Sequence, residues 1–136
     1  MHIITCAIIE DNEAAVKAAY LQGDYVTCFL LIHALIEAIL RALLKKTKRE
    51  RFTDLIKEYE RFLRKQGQKK LTFVDELTKF NQRRNNVIHE LWERGYSATN
   101  RKLESVCRKA FSMYGLFIEW LGTFEPKLKI YGFEHE

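Results

Sequence analysis

The chain has 136 residues, 47% hydrophobic and 30% charged, with a net charge of +5 and a single proline, Pro126. That length fits one domain able to bury a core, and the composition suits a soluble helical bundle. Its three cysteines, Cys6, Cys28 and Cys107, are odd in number and far apart. This excludes a paired metal-ligand spacing and points to reduced, buried thiols.

The start, Met1-His2-Ile3-Ile4-Thr5-Cys6, has neither a basic leader nor a cleavage site. No signal peptide is therefore expected, and a cytoplasmic location is. A first helix is predicted over residues 10–22, ended by Gly23-Asp24, and a second over 24–46. The run from Tyr25 to Leu44 is apolar enough to resemble a membrane span. His33, Glu37 and Arg41 argue against that reading, because they recur every four residues as one polar stripe and would be costly in lipid. A central bundle helix is expected, its stripe facing a groove or a subunit interface. The plainer reading of the stripe is a Glu37–Arg41 pair at the surface.

A third helix is expected from Arg51 to Gln66, stopped by Gly67. Residues 41–70 hold twelve basic and four acidic side chains, a net +8 that exceeds the whole chain's +5. Such a surface attracts phosphate backbones, and Lys45, Lys46, Lys48, Arg49 and Arg51 are the candidate RNA contacts. A solvated helical face is the bland alternative.

A fourth helix is predicted from Leu71 to about Arg94, before Gly95. Phe73, Leu77, Phe80, Val87, Ile88 and Leu91 recur at three and four residues, the spacing of a buried face. Arg84 fills the missing slot of that seam. A guanidinium keeps its charge, so Arg84 either pairs with an acid or lines a cleft. Glu37, the acid within the most apolar helix, is the candidate partner. His89, five residues on, is the side chain best suited to proton transfer near neutral pH. The last helix is expected over Ala98–Phe124, closed by Pro126. Beyond it, Lys127 to Phe133 alternates apolar and polar residues, as a short strand or an ordered tail would. There is no internal repeat and no low-complexity linker. Residues 1–136 thus form one expected all-α domain of about five helices with a four-helix-bundle core.

Arg84-Asn85-Asn86-Val87-Ile88-His89 resembles the Arg-Asn-x-x-x-His signature of the HEPN family (higher eukaryotes and prokaryotes nucleotide-binding domains). The likeness extends over roughly residues 10–125: a long apolar second helix carrying a glutamate, a basic connection, the motif helix and a long closing helix. It implies a small helical bundle. It also implies a metal-independent ribonuclease, without cofactor or metal, whose homodimer brings two motifs to one cleft. On that reading Arg84 and His89 are the catalytic pair, supported by Asn85 and Glu37. RNA or a nucleotide is the partner, no membrane is involved, and the protein would be a toxin or a defence ribonuclease. In the toxin branch the motif often ends His-x-Tyr, and a nucleotidyltransferase antitoxin modifies that tyrosine. Here Leu91 holds that position, Trp92 follows, and the nearest tyrosine is Tyr96, so the target of such modification is missing from its place.

The chemistry needs no metal. RNA carries its own nucleophile in the 2′-hydroxyl, a positioned base can take its proton, and a cation can stabilise charge on the phosphorane. Geometry sets a condition. At 3.6 residues per turn, positions 84 and 89 lie about 140° apart on a straight helix. A bend at Asn85-Asn86, both poor helix formers, or a second copy must then complete the site. Glu-x-x-His pairs for a di-iron bundle and a glycine-rich phosphate loop are not found, and no helix-turn-helix signature stands out, although the basic third helix leaves DNA binding open. The rival reading is a non-catalytic nucleotide-binding, RNA-binding or dimerisation module of the same fold, with Arg84 held by a buried acid.

Overall fold

The computed structural model describes residues 6–46 and 50–133. They form six α-helices and, among the described residues, no strand. In chain order these are α1 (Cys6–Leu21), α2 (Tyr25–Leu43), α3 (Phe52–Lys65), α4 (Val74–Arg94), α5 (Tyr96–Arg101) and α6 (Glu104–Leu121). A 3-10 segment, Pro126–Ile130, follows.

Helix α2 is the axis of the bundle and touches all five other helices. It is long and apolar enough to cross a membrane by length and composition. Here it is the core helix, burying Phe29, Ile32, Leu35, Ile36, Ile39 and Leu40. Full burial of such a side chain is worth about 1.5–3 kcal/mol over leaving it exposed. Asp24 caps its start, the carboxylate accepting from the Thr27 N–H at 3.3 Å.

The α1–α2 corner turns on Gly23, whose φ of +76° only glycine adopts freely. The Gly23 and Asp24 N–H groups donate back to the Tyr20 and Ala19 carbonyls, closing the helix end. The end of α2 uses the same hydrogen-bond pattern, Lys45 to Ala42 and Lys46 to Arg41. There the left-handed position is filled by Lys45, at φ +55°.

Helix α3 shows its amphipathic spacing in the fold. Phe52, Leu55, Ile56, Tyr59 and Leu63 are buried, while Lys57, Arg61, Arg64 and Lys65 face outward. Tyr59 ties this layer together: its hydroxyl donates to the Thr72 carbonyl at 2.7 Å and accepts from the Trp120 indole at 2.9 Å.

Several boundaries differ from the sequence expectation: α1 starts at Cys6 rather than at residue 10, and α2 ends at Leu43 rather than at residue 46. Helix α4 starts at Val74 rather than Leu71, because Phe73 sits in the left-handed region at φ +71° and packs its ring on Phe117. The expected closing helix is two helices. Asn100 is drawn to the α1–α2 corner, accepting from the Val26 N–H at 3.0 Å and donating to the Gly23 carbonyl at 2.7 Å. The Tyr96 hydroxyl donates to Asp24 at 2.7 Å. These bonds fix α5 as a separate turn, and α6 begins afresh beyond Leu103. The tail is ordered as the 3-10 segment. Glu13 of α1 staples it, one carboxylate oxygen accepting from both the Tyr114 hydroxyl and the Gly132 N–H at 2.8 Å.

Candidate functional site

The polar stripe of α2 opens into a cleft of about 620 Å³ between α2, the start of α3 and the middle of α4. Its lining includes His33 and Glu37 from α2, Arg51 and Phe52 at the α3 entrance, and Asn81, Arg84 and Asn85 from α4. The α4 residues share one side of their helix because 81, 84 and 85 are three and four apart.

His33 is the buried member. Its ring lies against Phe52 and Phe80, with centroids 4.4 and 5.4 Å away. Its Nε2 is 3.1 Å from the Asn81 Oδ1. Asn81 is buried as well. Burial holds the imidazole pKa below its usual value, and the Arg84 charge pushes the same way. The Asn81 hydrogen bond and Glu37 oppose them. The ring is therefore neutral at pH 7, with Nε2–H donating to Asn81 and Nδ1 left as the basic atom.

Arg84 is half-buried at the cleft and donates to the Asn85 side-chain oxygen at 3.3 Å. The expected Glu37–Arg84 ion pair is corrected by the structure. Glu37 pairs instead with Arg41, one helical turn along, at 3.5 Å. Arg41 also donates to the Glu50 carbonyl at 2.6 Å. Helix periodicity explains the choice: residues 37 and 41 are neighbours on one face, so the shortest route to a cation stays within α2. Glu37 and Arg84 still face the same cleft.

His89 lies elsewhere. Its side chain is 79% exposed and its Nε2 is 3.2 Å from Glu93 on the outer face of α4. Trp92, beside it, is 86% exposed. Helix α4 runs unbroken as α-helix through Asn85-Asn86. No bend gathers the motif, and one chain presents Arg84 and His89 on different sides of the helix. Asn85 joins Arg84 at the cleft.

The five basic candidates also divide. Arg51 lines the cleft, its side chain largely exposed and 3.6 Å from Asp54. Lys45 is exposed. Lys46 is held by Glu58 at 2.7 Å and Glu50 at 3.5 Å. Lys48 and Arg49 lie outside the described residues. A second hollow of about 370 Å³ is lined by Leu43, Leu44 and Phe62, by Lys45, Lys46, Arg61 and Lys65, and by Glu58.

Cys28 and Cys107 are free and buried, as their apolar surroundings led one to expect. They adjoin each other across α2 and α6, and Cys107 donates to the Tyr25 carbonyl at 3.2 Å. Among the described residues no group of three or more His, Cys, Asp or Glu is placed to hold a metal ion.

Sequence reasoning did not single out Asn81. Its signal was present: at three and four residues before Arg84 and Asn85, it shares their face. No family model, no curated protein and no solved structure matches the chain.

Proposed function

We propose that this protein is an RNA-cleaving domain of HEPN type, working without a metal, whose cleft between α2, α3 and α4 receives a backbone phosphate. The observation that carries this reading is Arg84. Its guanidinium has no carboxylate within ion-pairing distance among the described residues and lines an open cleft shared with a neutral imidazole. A fixed cation there is suited to phosphate and to the charge that builds on a phosphorane. The basic face of α3 supplies non-specific attraction along the strand.

The outer face of α4 favours a homodimer. His89 and Trp92 are exposed along it, and tryptophan is enriched at protein interfaces. A two-fold partner laid on that face brings its own His89 to the vicinity of the first copy's motif.

The test is incubation of the purified chain with RNA in EDTA. The expected products carry a 2′,3′-cyclic phosphate, or its hydrolysis product, and a 5′-hydroxyl. Arg84→Ala is expected to abolish cleavage with helical content unchanged. A wild-type protein that binds RNA and releases no product that Arg84→Ala removes assigns the domain to the non-catalytic binding modules.

A further inference from the structure

We propose that His33 is the residue that takes the 2′-hydroxyl proton in the Arg84 cleft, and that Asn81 positions it for that role. The proposal rests on the ribonuclease reading above and goes beyond it by naming a base outside the Arg-Asn-x-x-x-His motif. Three observations carry it. First, His33 lines the same cleft as Arg84, whereas His89 of the same chain stands on the outer face of α4. Second, the ring is fixed. It is confined by Phe52 and Phe80 and tied at Nε2 to Asn81. A base oriented by a third group is the usual arrangement in enzymes that activate a hydroxyl. Third, the tautomer that donates Nε2–H to the Asn81 oxygen leaves Nδ1 as a lone-pair base. When Nδ1 takes a proton, the Asn81 oxygen still accepts from Nε2–H and stabilises the imidazolium.

The step balances without a metal or a redox partner. The 2′-oxygen forms a bond to phosphorus as its proton passes to His33 Nδ1. The bond from phosphorus to the 5′-oxygen breaks, and that oxygen takes a proton from solvent. The products are a 2′,3′-cyclic phosphate and a 5′-hydroxyl, and His33 returns its proton to water. Arg84 faces the non-bridging oxygens, where charge accumulates.

The charged groups facing His33 set the pH behaviour. Glu37 stands on its own helix, Glu50 and Arg51 at the entrance to α3, and Arg84 on α4. Burial and Arg84 outweigh Glu37 and lower the imidazole pKa. The acid limb of the cleavage rate, where the base becomes protonated, is therefore expected below the ordinary histidine value of about 6.5.

The experiment measures cleavage of a short RNA by the full chain across acidic and neutral pH, in EDTA. His33→Gln keeps an amide that can reach Asn81 but removes the titrating base. It is expected to lower the rate about 100-fold or more, with RNA binding and helical content retained. Asn81→Asp puts a carboxylate on Nε2 and is expected to move the acid limb above the ordinary histidine value of about 6.5, whereas loss of packing alone relieves burial and brings it back no further than that value. Folded His33→Gln cleaving at the wild-type rate overturns the proposal, as does an acid limb that Asn81→Asp leaves in place. If His33→Gln does not fold, the Asn81→Asp profile decides. In the first two cases wild-type cleavage and its dependence on Arg84 persist, so the ribonuclease reading survives. A wild type that never cleaves removes both.

Discussion

His33 and Asn81 meet across the interface of α2 and α4, the imidazole Nε2 3.1 Å from the amide oxygen, with both side chains buried. The bond joins the axis of the bundle to the helix that carries Arg84, and burial keeps the titratable ring neutral against the bond's opposing pull. This has a stability consequence. The folded-state pKa of His33 is lowered, while an unfolded histidine titrates near about 6.5. Above that pH the ring is neutral in both states and the stability is fully present. As pH falls, the unfolded chain takes up the proton first, and stability is lost through the folded-state pKa. Thermal unfolding is expected to show a midpoint falling from neutral towards acid pH, with a shallower fall in His33→Gln.

Glu13 gives the opposite sign. Desolvation raises its pKa, against the hydrogen bonds from Tyr114 and Gly132 and the nearby Lys17 charge, which lower it. A carboxyl raised in the folded state favours folding most below its unfolded pKa, and that contribution fades as pH rises through the folded value. Glu13→Gln can still accept both bonds without a charge to desolvate. It is expected to match wild type in acid and to gain relative stability towards neutral pH, read from denaturant midpoints at the two ends.

Lys45 ends α2 in the left-handed conformation that Gly23 adopts at the end of α1. A side chain there costs about 1–2 kcal/mol relative to glycine. Lys45→Gly is expected to stabilise the fold by about 1 kcal/mol in urea unfolding. No gain, or a loss, would show that the lysine makes a compensating interaction.

Asn100 bonds both the Val26 N–H and the Gly23 carbonyl. Asn100→Ala removes the partner of two part-buried backbone groups and is expected to cost about 1–3 kcal/mol. Amide exchange should quicken first at the start of α2 and in α5. Uniform quickening through the bundle would contradict the local role assigned to the residue.

How far the chain could be read depends on how local each signal is. The buried face of α4, with Leu77, Phe80 and Val87, and the closure of α1 and α3 by Gly23 and Gly67 follow from spacing and backbone preference, and they stand at the expected places. The polar stripe His33-Glu37-Arg41 was legible because charge on an apolar helix is conspicuous, and it does open onto a groove. The Arg84–Glu37 pairing was not to be had from register. Two cations competed for one carboxylate, and Arg41 was already on its face. Asn81 stayed hidden because an amide on a polar helix looks like any solvated residue until its neighbour across the interface is known. The break between α5 and α6 is set by Asn100 and Tyr96 reaching residues more than seventy positions earlier, which no local pattern reports.

The basic surface predicts a salt dependence. Each phosphate that a cation neutralises adds a slope of roughly 0.7–0.9 in log affinity against log salt. Lys45, Arg61 and Lys65 line the second hollow. Replacing them with glutamine is expected to weaken RNA binding for all sequences alike. The slope should flatten by about one for each of these cations that meets a phosphate. An unchanged slope would mark these residues as a solvated face that the strand does not follow.

The most direct measurement of the central claim is nuclear magnetic resonance of the intact chain titrated with a short RNA blocked by 2′-O-methyl groups, which binds but cannot be cleaved. The account predicts that the side-chain resonances of Arg84, Asn85 and His33 move together and saturate together, and that Arg84→Ala abolishes the His33 change. Shifts confined to the outer face of α4 around Trp92, with the cleft resonances unmoved, would contradict it.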